Sequence, residues 1–351
     1  MTSSTLKRIV RLDFWIDPVF DRLLAGETDT EVAVVPVHGE DARTWKALRQ
    51  AHVYQITAAK NELPQQFRAD DALLARCPEL LCVSSTGAGH DTVDVEACSR
   101  AGVAVVNQIG GNAASVAEMA IGLMIAVSRR IVESDRKLRR ESGFSRESVM
   151  GHELGGQVLG IVGIGHCGAR AAALAKAFGM RVLAVDPLLT AGEIRARGAE
   201  PVSLDTLVAQ SDIVSLHCPR DADTLGLFDA ARFAAMKKGA VFISTARGGI
   251  HDELALADAL RSGHLAGAGL DVWEPEPPPL DHPLLALDNV VATFHTAGVS
   301  HEGRRNVASM AADQIVQLLG GARPPRLVNP QVWEAFQQRR ARAFGAATAL
   351  H

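Results

Sequence analysis

The segment that most restricts what this chain can fold into runs from 158 to 186, VLGIVGIGHCGARAAALAKAFGMRVLAVD. In it, Gly163-x-Gly165-x-x-Gly168 lies between an apolar, β-branched run and an Ala-rich stretch, and a second apolar run ends at Asp186. Strand, glycine turn, helix and strand-end acid in that order carry a physical requirement at each position. The first glycine permits the tight turn, the second lets backbone approach a pyrophosphate, and the third permits close helix packing. The helix N-terminus then faces the phosphate charge. Asp186, eighteen residues past Gly168, is placed to accept hydrogen bonds from adenosine ribose hydroxyls and would repel a 2′-phosphate. NAD is therefore favoured over NADP, although Arg181 and Arg195 lie nearby in sequence.

This segment opens a series of short Val- and Ile-rich runs at 158–163, 181–186, 213–217, 241–245, 267–272 and 290–293, alternating with helix-period stretches as in parallel βαβ units. An earlier series has strand candidates at 8–13, 31–37, 52–57, 80–85 and 103–107. Its helical stretches at 41–50 and 91–100 each begin with an acidic residue suited to a helix N-terminus. Two doubly wound α/β domains are expected, since 351 residues exceed what one core usually organises. Between the two series, Val116, Ala120, Leu123, Val127 and Ile131 recur at spacings of three and four. That predicts one long helix over 115–139, either an ordinary core helix or one that helps pair two subunits. The stretch beyond Pro330 is helical in composition. A return of the chain to its first domain near 297–306 would make that domain discontinuous, with the second inserted in it.

Composition removes several classes. Hydrophobic residues at 47 % and charged residues at 22 % are ordinary for a globular protein, so disorder is not a serious reading. A net charge of −4, with 136–140 the one basic run that stands out, argues against nucleic acid. Five scattered cysteines with no CxxC pair fit a reducing compartment and offer no zinc spacing, so no metal is expected. The first residues lack an apolar stretch of signal-peptide length, and the run near 119–127 is too short to cross a bilayer. A cytoplasmic protein without a membrane partner is expected. The sole tyrosine, Tyr54, has Ala58 four residues on, which excludes the Tyr-x-x-x-Lys chemistry of short-chain dehydrogenases.

Three ionisable residues each follow a strand candidate of the second series: Arg247 in STARGG, Glu276 in DVWEPEP and His295 in TFHTAG. Carboxyl ends of strands line the ligand crevice of an open α/β sheet, so all three can face one ligand. Taken singly, each has a bland explanation as an ion pair, a loop acid or a strand-end histidine. Structural roles give no reason for three such residues at successive strand ends. With the glycine motif and the segments Gly87-Ala88-Gly89-His90-Asp91-Thr92-Val93-Asp94, Asn112-Ala113-Ala114-Ser115-Val116-Ala117-Glu118 and Leu216-His217-Cys218-Pro219, they carry a resemblance. The chain resembles the D-isomer-specific 2-hydroxyacid dehydrogenases, from about Val32 to Asn329.

The resemblance implies a Rossmann NAD-binding domain at 112–296 inserted into a flavodoxin-like substrate domain made of 1–111 and 297–351. It implies hydride transfer between NAD and a small D-2-hydroxy acid or its 2-keto acid, in a homodimer. His295 would be the general acid and base. Glu276 would hydrogen-bond the imidazole and favour its charged form. Arg247 would hold the substrate carboxylate and polarise the carbonyl, with backbone N–H groups of Ala88 and Gly89. Asp271 would bind the nicotinamide carboxamide near Thr245 and Ala246. His166, Cys167, His217, Cys218, Pro219 and Gly298 complete the expected cofactor site, with His217 in the adenine-pocket wall.

Departures qualify what carries over. His166 stands where the family usually has arginine between the glycines, which alters one phosphate contact. The loop after the third strand is read as Tyr54-Gln55-Ile56-Thr57, without the charge that relatives use for phosphorylated substrates, so an unphosphorylated substrate is expected. The stretch after Asn329 is too short for the regulatory domain of some phosphoglycerate dehydrogenases. Two alternatives stay open: an NAD(H)-sensing, corepressor-like binding protein without turnover, and a dehydrogenase of the phosphite or formate type.

Overall fold

The structure, a computed structural model, describes residues 6–38 and 41–345. The first five residues and the side chain of Asp41, on which expectations were placed above, lie outside the described part. The chain divides into two compact units, Met1–Asn112 with His301–His351, and Ala113–Ser300.

The first unit begins with β1 (Lys7–Leu12), α1 (Val19–Ala25), β2 (Thr30–Val35), α2 (Asp41–Leu48), β3 (Val53–Thr57), α3 (Asp71–Arg76), β4 (Cys82–Thr86), α4 (Val95–Arg100) and β5 (Ala104–Val106). All strands are parallel, in the order β2-β1-β3-β4-β5, a flavodoxin-like arrangement. Alternate residues serve opposite faces: Ile9, Val53, Cys82 and Ala104 pack on one side, Val10, Tyr54, Val83 and Val105 on the other. The expected helix at 91–100 starts later. Asp94, not Asp91, is its cap, accepting from the Ala97 N–H at 2.8 Å.

The second unit contains α5 (Ala113–Ser128), α6 (Ile131–Arg140), β6 (Val158–Val162), α7 (His166–Ala177), β7 (Arg181–Val185), α8 (Ala191–Ala196), β8 (Glu200–Pro201), α9 (Leu204–Gln210), β9 (Ile213–Leu216), α10 (Ala230–Ala235), β10 (Ala240–Ser244), α11 (Glu253–Arg261), β11 (Leu265–Leu270) and β12 (Val290–Ala292). Its parallel sheet has the order β12-β11-β10-β9-β6-β7-β8. The strand order reverses between β6 and β9, which places the ligand crevice of such a sheet beyond the ends of those two strands. The sequence gives no sign of β8; it is a two-residue edge strand, where its proline removes no ladder bond. After β12 the chain re-enters the first unit through α12 (His301–Gly320), and α13 (Trp333–Phe344) is the last described helix.

The long helix expected over 115–139 is two helices. The apolar stripe buried by α5 ends at Val127 and Ser128, and Arg130 then adopts a left-handed conformation (φ 50°) that stops the helix. α6 buries nothing and is stabilised by pairs such as Arg139–Asp135 and the Arg130–Glu133 fork. Ile131, counted in the stripe, is half exposed for that reason. α5 packs directly on β11 because Gly267 and Gly269 present no side chain: a Cβ at Gly269 would lie 2.9 Å from Leu123. Among the described residues no helix is long and apolar enough to cross a membrane.

Candidate active site

The glycine turn joins β6 to α7 at the point where the sheet reverses. Gly163 has φ +86°, and a Cβ there would stand 2.7 Å from the Cys218 nitrogen, so the turns after β6 and β9 touch through backbone alone. Gly168 sits against the Gly163 carbonyl and Ile161, where α7 meets the strand. Gly165 differs from both: a Cβ there would meet nothing within 4 Å. Open space over the second glycine, at the N-terminus of a twelve-residue helix, is the cradle a pyrophosphate requires. His166 is the exposed first residue of α7 and Cys167 follows it.

Asp186 follows β7 and accepts from the Ile164 N–H at 3.0 Å and the Leu188 N–H at 3.1 Å. Each carboxylate oxygen therefore keeps an acceptor position for ribose hydroxyls. Beyond β9, His217 shares a 2.9 Å hydrogen bond with Ser215 through Nε2, while its enclosed Nδ1 has no partner among the described residues. Burial pushes its pKa down to about 4, so the ring is neutral at pH 7. Cys218 is buried beside it and Pro219 is exposed. After β10, Thr245 and Ala246 are buried, and the Thr245 hydroxyl lacks a partner among the described residues. Two orphaned polar atoms beside an open glycine turn fit a dinucleotide at these strand ends.

Arg247, Glu276 and His295 follow β10, β11 and β12 in turn. Glu276 Oε2 lies 2.8 Å from His295 Nδ1, and Glu276 Oε1 accepts from the Trp273 N–H at 3.3 Å. The side chain of His295 is 40 % exposed even with Nδ1 on Glu276. Its backbone is left-handed, φ 47°, a conformation that L-residues keep only when neighbours enforce it. Asp271 enforces it. The carbonyl oxygen of Asp271 accepts from the His295 N–H at 2.7 Å, its Oδ1 from Thr296 N–H at 2.8 Å and its Oδ2 from Ala297 N–H at 2.8 Å. The Thr293 hydroxyl adds a 2.5 Å bond to Oδ1. Asp271 is wholly buried, so its main visible task is to anchor the histidine turn, with one acceptor position left on Oδ2. Gly298 follows that turn. One guanidinium nitrogen of Arg247 donates to the Ala246 carbonyl at 2.7 Å.

Ala88 and Gly89 belong to the first unit, on the loop after β4. Its carbonyls are tied inward: Gly87 O accepts from Gln108 N–H, Ala88 O from Asn107 and Gly89 O from Ser85. The Ala88 and Gly89 N–H groups donate to no described residue, which suits them to an anion. The expectation from Tyr54-Gln55-Ile56-Thr57 needs correction. These residues are β3 itself, with Tyr54 buried and bonded to Phe67 O; the loop that follows carries Lys60 and is met by Arg68. The stretch therefore gives no ground against a phosphorylated substrate. Sequence reasoning also missed Trp273 and Glu253 and set His282 aside as an unconvincing catalyst; all three lie under the histidine turn and follow no periodic pattern.

The model of the D-isomer specific 2-hydroxyacid dehydrogenase NAD binding domain matches residues 121–297. Among curated proteins, the D-3-phosphoglycerate dehydrogenase of Archaeoglobus fulgidus is 40 % identical over 80 % of this chain and 53 % of that protein. The glyoxylate reductase of Korarchaeum cryptofilum is 38 % identical over 75 % of this chain and 80 % of that protein. The chain thus spans about half the length of the phosphoglycerate dehydrogenases it matches. A solved Thermus thermophilus structure superposes with a TM-score of 0.79 at 34 % identity, covering 92 % of this chain and 99 % of the other.

Proposed function

The chain belongs to the D-isomer specific 2-hydroxyacid dehydrogenases, and from that membership we propose that it interconverts a small 2-keto acid and its D-2-hydroxy acid with NAD as cofactor. The observation that carries the reading is the His295–Glu276 pair at 2.8 Å, on a turn fixed by Asp271. With Nδ1–H donating to the carboxylate, Nε2 is the ring's outward atom: a proton donor in the charged ring and an acceptor in the neutral one. That is what carbonyl reduction and its reversal need.

The cofactor, when bound, would supply the hydride for C2 of the keto acid. His295 Nε2 gives its proton to the carbonyl oxygen as the alcohol forms, and takes it back in oxidation. Glu276 holds the imidazole in the required tautomer and offsets its positive charge. Arg247 offers a planar fork to the substrate carboxylate. The free N–H groups of Ala88 and Gly89 are donors of the kind a carboxylate accepts. Gly165 and the N-terminus of α7, in a turn shaped by Gly163 and Gly168, would hold the pyrophosphate, and Asp186 would hold the adenosine ribose. Asp271 and the Thr245 hydroxyl have acceptor and donor capacity left for the nicotinamide carboxamide.

The test is oxidation of NADH with glyoxylate, hydroxypyruvate, pyruvate, phenylpyruvate and 3-phosphohydroxypyruvate, with the chirality of each product determined. The expected result is turnover of at least one keto acid to the D-hydroxy acid. NADH binding without turnover of any of them would point instead to a sensing protein.

A further inference from the structure

Trp273 is 3 % exposed, and each of its polar groups meets a different part of the histidine, glutamate and arginine constellation. Its N–H donates to Glu276 Oε1 at 3.3 Å. Its indole N–H donates to the Thr293 carbonyl at 2.9 Å, two residues before His295. Its carbonyl lies against Gly248, beside Arg247, so closely that a Cβ on that glycine would overlap it.

The ring is itself held from below. Its edge meets the His282 imidazole at 5.7 Å and 77°. His282 Nδ1 accepts from the Leu284 N–H at 3.3 Å, which leaves Nε2 to donate to Glu253 Oε2 at 2.9 Å, with both side chains under 10 % exposed. The other oxygen, Glu253 Oε1, accepts from the Glu274 N–H at 2.9 Å, the residue next to Trp273. A buried histidine–carboxylate pair contributes little net stability compared with apolar packing. Here it supplies direction: both oxygens of Glu253 are committed to the segment that carries Trp273.

We propose that Trp273 is a positioning residue that sets Arg247, Glu276 and His295 relative to one another, and that the buried His282–Glu253 pair fixes Trp273 in that orientation. The role rests on the dehydrogenase reading above. It adds that the geometry of the constellation is dictated from a second histidine–glutamate pair that never touches substrate.

Two variants test it. Trp273→Phe keeps an aromatic ring but removes the indole N–H together with the five-membered half of the indole, whereas the second variant changes no volume. Glu253→Gln keeps the size but cannot accept from both partners. In each, kcat is expected to fall about tenfold, the size of one well-placed hydrogen bond, with KM and the Kd for NADH within about twofold. Combined with Glu276→Gln, each is expected to add less than about twofold, because a residue acting through Glu276 has nothing left to position. A readout free of turnover is ¹⁵N NMR of the histidine-labelled protein, with the His295 signals assigned by their loss in His295→Ala. The native chain should show the Nδ1-protonated tautomer, and both variants a mixture. Native tautomer with native kcat in both variants, or full additivity with Glu276→Gln, would overturn the proposal. Failure of the native protein to reduce any keto acid would remove the dehydrogenase reading and leave the tautomer measurement to decide the positioning role. Should Trp273→Phe not fold, Glu253→Gln probes the same chain of contacts from its far end.

Discussion

Replacing the glycines of the turn one at a time should separate stability from cofactor binding. At Gly163, alanine would have to adopt φ near +86°, a cost of about 1–2 kcal/mol for an L-residue. Its methyl group would stand 2.7 Å from the Cys218 nitrogen and 2.9 Å from the His217 carbonyl carbon, which are backbone and cannot rotate aside. Pushing the β6 and β9 turns apart adds about 1–3 kcal/mol. The sum, about 2–5 kcal/mol, corresponds to a melting point lower by on the order of 10 °C for a unit of this size. At Gly165 the same methyl group meets nothing within 4 Å, so Gly165→Ala should melt within about 2 °C of the native protein. It fills the space the pyrophosphate must enter and should weaken NADH binding by about 10–100-fold, the worth of one or two charge-assisted contacts. Thermal denaturation without cofactor and a fluorescence titration with NADH measure the two effects separately. The reasoning is refuted if Gly165→Ala melts as low as Gly163→Ala, or if it binds NADH with native affinity.

His295→Ala should lower turnover by about 10²–10⁴-fold while NADH still binds, measured by steady-state kinetics and titration. Asp186→Ala should weaken NADH binding by about tenfold or more and narrow the discrimination against NADPH, since both its ribose acceptors and its hold on the Ile164 N–H are lost, as a comparison of the two Kd values would reveal. His251 is 2 % exposed, has no partner on either ring nitrogen among the described residues, and is driven by burial to a pKa of about 4. The unfolded chain, with its histidine near 6.5, therefore binds the extra proton first, so stability should fall as pH drops from about 6.5 to about 4, by up to about 3 kcal/mol. His251→Phe should flatten that part of the pH–stability curve measured by urea denaturation.

What could be read from the residues, and what could not, divides by the range of the interactions. The glycine turn, Asp186 and the strand ends at Arg247, Glu276 and His295 are local in pattern: each needs only a period of two, a turn residue and the following polar side chain. The end of α5 depends instead on one backbone angle at Arg130, because Ile131 continues the apolar spacing without a surface to cover. The task of Asp271 is equally hidden, since its donors come from Thr293 to Ala297, more than twenty residues on, and a buried carboxylate and a ligand-facing one look alike in sequence. His282 shows no role until Glu253, on α11, is brought beneath it.

The interrupted first unit has a consequence for synthesis on the ribosome. One face of its sheet, with Ile9, Val53, Cys82 and Val106, is covered by Phe20 and Leu24 of α1, by Ala308, Ala311, Ile315 and Leu318 of α12 and by Phe336 of α13. Helices α12 and α13 are translated only after the whole of the second unit, so the nascent amino-terminal half waits with that face covered by α1 alone while the later unit already has everything its own core requires. An exposed apolar sheet face of this kind is a natural client surface for chaperones, and truncations upstream of α12 should be captured by them or aggregate rather than accumulate as a soluble fragment.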